Sequence, residues 1–206
     1  MNLKKLMAIT TILTITMSYL PGMTTTAMEK SKIPLNNLRG YWSFENYEGN
    51  TIIDDSNNSK NALIRGNGRI TNDGKNNKGL ELTGEKGTFL SIPSIFNLSN
   101  EKVSVSFWVN ISQESGTNRT ENTILLQQEG SGKSLLYYAS SNQNDKLGSF
   151  VGGKNIYGNE DLNPQKWYNI TLISDYEANE VKFYVNGKSV SYTSSTSGNS
   201  KSYRFR

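Results

Sequence analysis

The stretch KWYNITLISDYEANEVKFYVNGKSV (166–190) limits the fold more than any other part of the chain. Tyr168, Ile170 and Leu172 alternate with Trp167, Asn169, Thr171 and Ile173. After the polar DYEANE turn, Val181, Phe183 and Val185 alternate with Lys182, Tyr184 and Asn186. Successive side chains of a strand point to opposite faces, so period two predicts two strands, each with an apolar face. Asn186-Gly187 tolerates positive φ at both positions and suits a type I′ turn. That turn predicts a returning strand carrying Val190 and Tyr192.

The same signal recurs upstream. GYWSFE (40–45), NALIRG (61–66), GLELTG (79–84) and TFLSIP (88–93) are short runs between Gly, Asn and Asp clusters. In EKVSVSFWVNIS (101–112), Val103, Val105, Phe107 and Val109 share one face. Ser104, Ser106, Trp108 and Asn110 share the other, and Trp108 implies that a loop partly covers that polar face. NTILLQQ (122–128), SLLYYAS (134–140) and LGSFVGG (147–153) continue the series. No segment carries a helical period. Only 34% of residues are hydrophobic and 19% charged, the balance being rich in Asn, Ser, Thr and Gly, which suits short strands and polar turns. The prediction is an all-β, antiparallel sandwich or jelly roll.

Four segments then match one family in order. GYWSFENYEGNTIIDDSNNSKNALIRG, KGLELTGEKGTFLSIP, VSVSFWVNIS and WYNITLISDYEANEVKFYVNGKSV resemble laminin-G-like, concanavalin A-like jelly-roll domains over residues 39–192. The resemblance implies a jelly-roll domain over 39–206, preceded by a linker at 28–38. The family ends on a strand of the type G-x-I-D-D-V-R-I-Y beside its first strand. Here KSYRFR stands where the family's preceding I-G strand begins and the closing strand is absent, so the resemblance implies a C-terminally incomplete domain with an open edge at GYWSFE. A partner strand or self-association would close it. The fold hosts lectins, adhesion modules and glycosidases alike.

Residues 1–27 read as a signal peptide: Lys4 and Lys5, an apolar run over 6–20, a Pro21-Gly22 break, and small residues Thr25 and Ala27. This predicts secretion, in a bacterial style because the chain lacks Cys and hence disulfides, with no membrane association once the leader is cut. Lys4 and Lys5 supply two of the four net positive charges, leaving +2 after cleavage. So weak a charge argues against nucleic acid.

Catalytic signals are sparse. His is absent, which removes Ser-His-Asp and Cys-His chemistry. Glycosidases on this fold carry E-x-D-x-E on one strand, and no such triplet occurs. Glu160-Asp161 and Asp54-Asp55 are adjacent, so on a strand they would face opposite ways. EGSGKS (129–134) lacks the first Gly of a phosphate loop, Gln127 standing there, and reads as a hairpin turn. The resemblance implies Ca²⁺ at the loop rim, with Asp54, Asp55, Asn58 and Glu45 as oxygen donors. Asx-turn capping of the Asp55–Asn58 loop is the favoured reading of the same residues. For sugar stacking the candidates are Tyr137, Tyr138, Asn155 and Tyr157, the last two in an exposed GGKNIYGNED loop; each Tyr also suits packing. Trp42, Trp108 and Trp167 are assigned to the core. The expectation is a secreted, noncatalytic module that binds carbohydrate or a glycosylated surface, part of a larger bacterial protein. The alternatives are a glycosidase and a ligand-free spacer.

Overall fold

The structure is a computed structural model that describes residues 6–10, 38–95, 102–112, 123–127, 134–139, 146–151, 154–175, 180–190 and 192–194. Every regular element among them is a strand, and all pairings are antiparallel. No helix among the described residues is long and apolar enough to cross a membrane.

In chain order the strands are β1 (Leu6–Thr10), β2 (Tyr47–Glu48), β3 (Thr51–Ile52), β4 (Ala62–Arg65), β5 (Arg69–Gly74), β6 (Asn77–Leu82) and β7 (Phe89–Ser91). They continue as β8 (Lys102–Ile111), β9 (Thr123–Gln127), β10 (Ser134–Ala139), β11 (Lys146–Val151) and β12 (Lys154–Asp161). Last come β13 (Trp167–Asp175), β14 (Glu180–Val185), β15 (Lys188–Val190) and β16 (Tyr192–Ser194). They form a seven-stranded sheet ordered β15-β14-β13-β8-β1-β6-β5, a five-stranded sheet ordered β16-β12-β11-β10-β9, and a small sheet β2-β3-β4-β7. One buried apolar cluster draws on all three.

The alternation sorts the faces as the sequence predicts. Phe107, Val109, Ile170, Leu172, Val181, Phe183 and Val185 are all buried on the inner face of the large sheet. Burying a side chain such as Phe183 contributes roughly 2 kcal/mol relative to leaving it exposed. The turn after β14 has Asn186 at φ 51° and Gly187 at φ 77°, the left-handed pair a type I′ turn needs. Leu136 and Leu147 face the same core from the five-stranded sheet.

Three expectations need correction. GYWSFE is not a strand: its main-chain N–H groups are taken by the carboxylates of Asp54 and Asp55 instead of a neighbouring ladder. Phe44, at φ 67°, turns its ring into the core. The segment around Tyr157 is not a loop. It is β12, paired with β11 on one side and β16 on the other, and Gly158 lets it pack closely, since a Cβ there would lie 3.1 Å from Val190 Cγ1. Val190 ends β15, whereas Tyr192 begins β16 in the other sheet. Leu6–Thr10, within the apolar run that reads as an export signal, forms a strand between β6 and β8. The 28–37 part of the linker, residues 129–133 of the EGSGKS turn, and KSYRFR lie outside the described residues.

Candidate functional site

Two polar clusters stand out, and they differ in how completely their atoms are paired. The first is the turn after β3. Asp54 is buried, and its Oδ1 accepts from the N–H groups of Tyr41 (2.9 Å) and Ser56 (2.9 Å) while its Oδ2 accepts from Lys60 N–H (3.0 Å). Its own N–H donates to Asn61 Oδ1 at 3.0 Å. Burial pushes the Asp54 carboxyl up, but the donors from Ser56, Tyr41 and Lys60 outweigh it and hold the group below its ordinary 3.8. Asp55 accepts from Ser43 N–H (3.1 Å), Ser43 Oγ (2.6 Å) and Asn46 Nδ2 (2.7 Å). Burial, then the charges of Asp55 and Glu45, push the Tyr41 phenol up.

This donor set does not fit a cation. The two aspartates spend their oxygens on N–H and O–H donors. Asn58 Nδ2 donates to Leu38 O (2.7 Å) and Ser56 Oγ (2.9 Å), and Glu45 Oε1 accepts from Lys78 N–H (3.0 Å) across the β5–β6 hairpin. Among the described residues no three Asp or Glu side chains gather on one point. The arrangement is an Asx-type clamp that fixes the entry of the chain to the domain.

The second cluster lies on the outer face of the seven-stranded sheet. Register places Asn110 opposite Trp167, Trp108 opposite Asn169, and Ser106 opposite Thr171, and directly opposed residues share a face. Tyr184 of β14 follows beside Thr171. Both Trp side chains are half-buried, so they are neither core nor fully exposed. The frame around them is tied down: Ser106 Oγ and Thr171 Oγ1 lie 2.9 Å apart, and Asn169 Nδ2 donates to Ser106 Oγ at 3.4 Å. Asn169 N–H donates to Asn186 Oδ1 at 2.9 Å, and Asn186 N–H returns a bond to Asn169 O at 2.8 Å.

Within this tied frame, two buried polar atoms have no partner among the described residues: Trp108 Nε1 and Asn110 Oδ1. One is a donor and the other an acceptor, two positions apart on the same face of β8. Lys75, exposed on the β5–β6 turn, holds its ammonium 4.8 Å from the Trp108 ring centre. On the far side of the same face, Glu81 is buried and tied to Arg69 through Nε (2.8 Å) and Nη2 (2.7 Å).

The tyrosine candidates fall in the five-stranded sheet. Tyr137 lies opposite Gly148, which in turn lies opposite Tyr157, and Asn155 is two positions from Tyr157. Those three positions share one face. Tyr138 is opposite buried Leu147 and so lies at a position on the other face. The sequence reading therefore gathered three residues onto one surface but missed the outer face of the large sheet. The available signal was Trp108 itself, an indole in the polar half of a clean alternation.

No curated protein and no solved structure matches the chain. A laminin-G-type family model, described as the concanavalin A-like lectin/glucanases superfamily, matches residues 83–205, which takes in β8 and every strand after it. That span is more than half of the sequence and includes the Trp108, Asn110, Trp167 and Asn169 positions. The chain belongs to the concanavalin A-like lectin/glucanases superfamily.

Proposed function

We propose that the chain is a secreted, noncatalytic module that binds carbohydrate, free or on a glycosylated surface, through the outer face of its seven-stranded sheet. The observation that carries this reading is the unpaired couple, Trp108 Nε1 and Asn110 Oδ1. A buried polar atom without a partner costs free energy that a matched one does not. A single sugar hydroxyl satisfies both atoms, because it accepts from the indole N–H and donates to the amide oxygen. The indole rings offer apolar area for the C–H face of a pyranose, and the Ser106–Thr171–Asn169 network holds the neighbouring polar groups in place. Lys75 gives the rim a positive charge, so acidic sugars gain over neutral ones.

Catalysis has less support. Glu81 is held by Arg69, and Glu160 and Asp161 are successive, exposed residues where β12 leaves regular register with β11. The test is a glycan array probed with the wild-type protein, Trp108→Ala and Asn110→Leu. The expected result is a restricted set of hits for wild type, lost in both variants while their melting curves persist. Retention of the same hits by both variants moves the site elsewhere, with the Tyr137–Tyr157 face next in line.

A further inference from the structure

We propose that the gap between β6 and β8 is a strand-acceptor site, filled here by the chain's own leader, and that on leader removal it takes an extended, neutral polypeptide segment with aliphatic side chains at alternate positions. It rests on the secretion proposed above, and Met7 and Thr10 of the seated strand lie opposite Asn110 and Trp108 of the proposed sugar site. The seven-stranded sheet is built from two blocks: β5–β6, and β8 with β13, β14 and β15. Only β1 joins them. Leu6 lies opposite both Leu82 of β6 and Ile111 of β8, and Met7 lies opposite both Glu81 and Asn110. Each flanking strand presents its main-chain ladder to β1.

Without β1 the flanking strands would stand two strand spacings apart, roughly 10 Å, too far to bond to one another. Facing donors and acceptors would be left open in the middle of a sheet, beside the buried Leu82 and Ile111. Yet Leu6–Thr10 lies within residues 1–27, which read as an export leader. Cleavage after Ala27 therefore takes away an interior strand, and the natural substitute for a strand is another strand. The seat sets the chemistry of the occupant. Positions facing Leu82 and Ile111 call for aliphatic side chains. Arg69 already answers the Glu81 charge, so the seat favours a neutral segment. LMAIT, the segment seated here, meets both demands.

The test uses the full chain with a protease site inserted after Ala27. After cutting, a fluorescent peptide of residues 6–12 is titrated by anisotropy, alongside the same peptide with Ala8→Pro. An interior proline removes a ladder donor and clashes with the strand. The expected result is saturable 1:1 binding to the cut protein, at least about 100-fold weaker for the proline peptide, and none to the intact chain. A cut protein that stays folded, keeps its β6 and β8 amides protected from hydrogen exchange and ignores the peptide overturns the proposal. So does equal binding of both peptides. If the cut protein unfolds, Ala8→Pro in the intact chain decides. Faster exchange confined first to β6 and β8 supports the acceptor site, and exchange identical to wild type overturns it.

Discussion

Trp42 and Trp108 carry the same side chain into two different kinds of environment. Trp42 is 7% exposed, packs in the common core, and donates its indole N–H to Lys60 O at 2.9 Å. It stands in the same turn system as Asp54, whose two oxygens take three main-chain donors. Trp108 is half-buried on the outer face of the large sheet, and among the described residues its buried indole N–H has no partner, nor has the Asn110 oxygen. In the first region polar burial is complete, and completeness is what stability requires. In the second it is incomplete within a frame that is otherwise tied, and such a deficit is what a hydroxyl-bearing ligand removes.

That contrast predicts opposite responses to substitution. The largest effect belongs to the paired region: Asp54→Ala leaves three main-chain donors without an acceptor and lowers stability by on the order of 3 kcal/mol in urea unfolding, with glycan binding unchanged in the folded fraction. Next, Trp42→Phe costs roughly 2 kcal/mol, through the lost bond to Lys60 O and the volume removed. Trp108→Phe and Asn110→Leu remove the two buried atoms that have no partner among the described residues, so they leave stability unchanged or raise it, by up to about 1 kcal/mol, while weakening glycan binding about tenfold. If Trp108→Phe destabilises as much as Trp42→Phe, the contrast between the two regions fails.

Acid sharpens the same comparison. The Asp54 carboxyl titrates below 3.8 in the folded state. Between the unfolded and folded values the unfolded chain binds more protons, so stability is full above about 3.8 and is lost as pH falls through the folded value. Unfolding curves taken from neutral pH downward show this loss in wild type, and Asp54→Asn lacks that contribution. The smallest expected effect is that of a chelator. Because the clamp oxygens are occupied by N–H and O–H donors, excess chelator leaves the melting temperature where it was. A drop abolished by Asp55→Ala would show that these carboxylates also hold a cation.

How far the sequence could be read depended on whether local periodicity or distant pairing decided the outcome. The β8, β13 and β14 strands and the Asn186-Gly187 turn follow from period two and from positive φ, both local properties. GYWSFE has strand composition, but its amides are claimed by Asp54 and Asp55, more than ten positions away. GGKNIYGNED has loop composition, yet β11 and β16 pair with it from both sides. Neither partner is visible from inside the segment. The outer-face site was half legible: the alternation put Trp108 on the polar face, but only the register with β13 brings Trp167 and Asn169 alongside it. The place of Leu6–Thr10 in the sheet is a long-range pairing of the same kind, in an apolar run that reads equally well as an export signal.

The most direct measurement follows the indole N–H resonances in ¹⁵N–¹H spectra while a glycan selected on the array is titrated in. Trp42, already bonded to Lys60 O, serves as the internal reference. The account predicts that the Trp108 Nε1–H signal moves downfield and slows its exchange with water on saturation, while the Trp42 signal stays in place. Saturation of the protein with no change at Trp108 Nε1–H would contradict it.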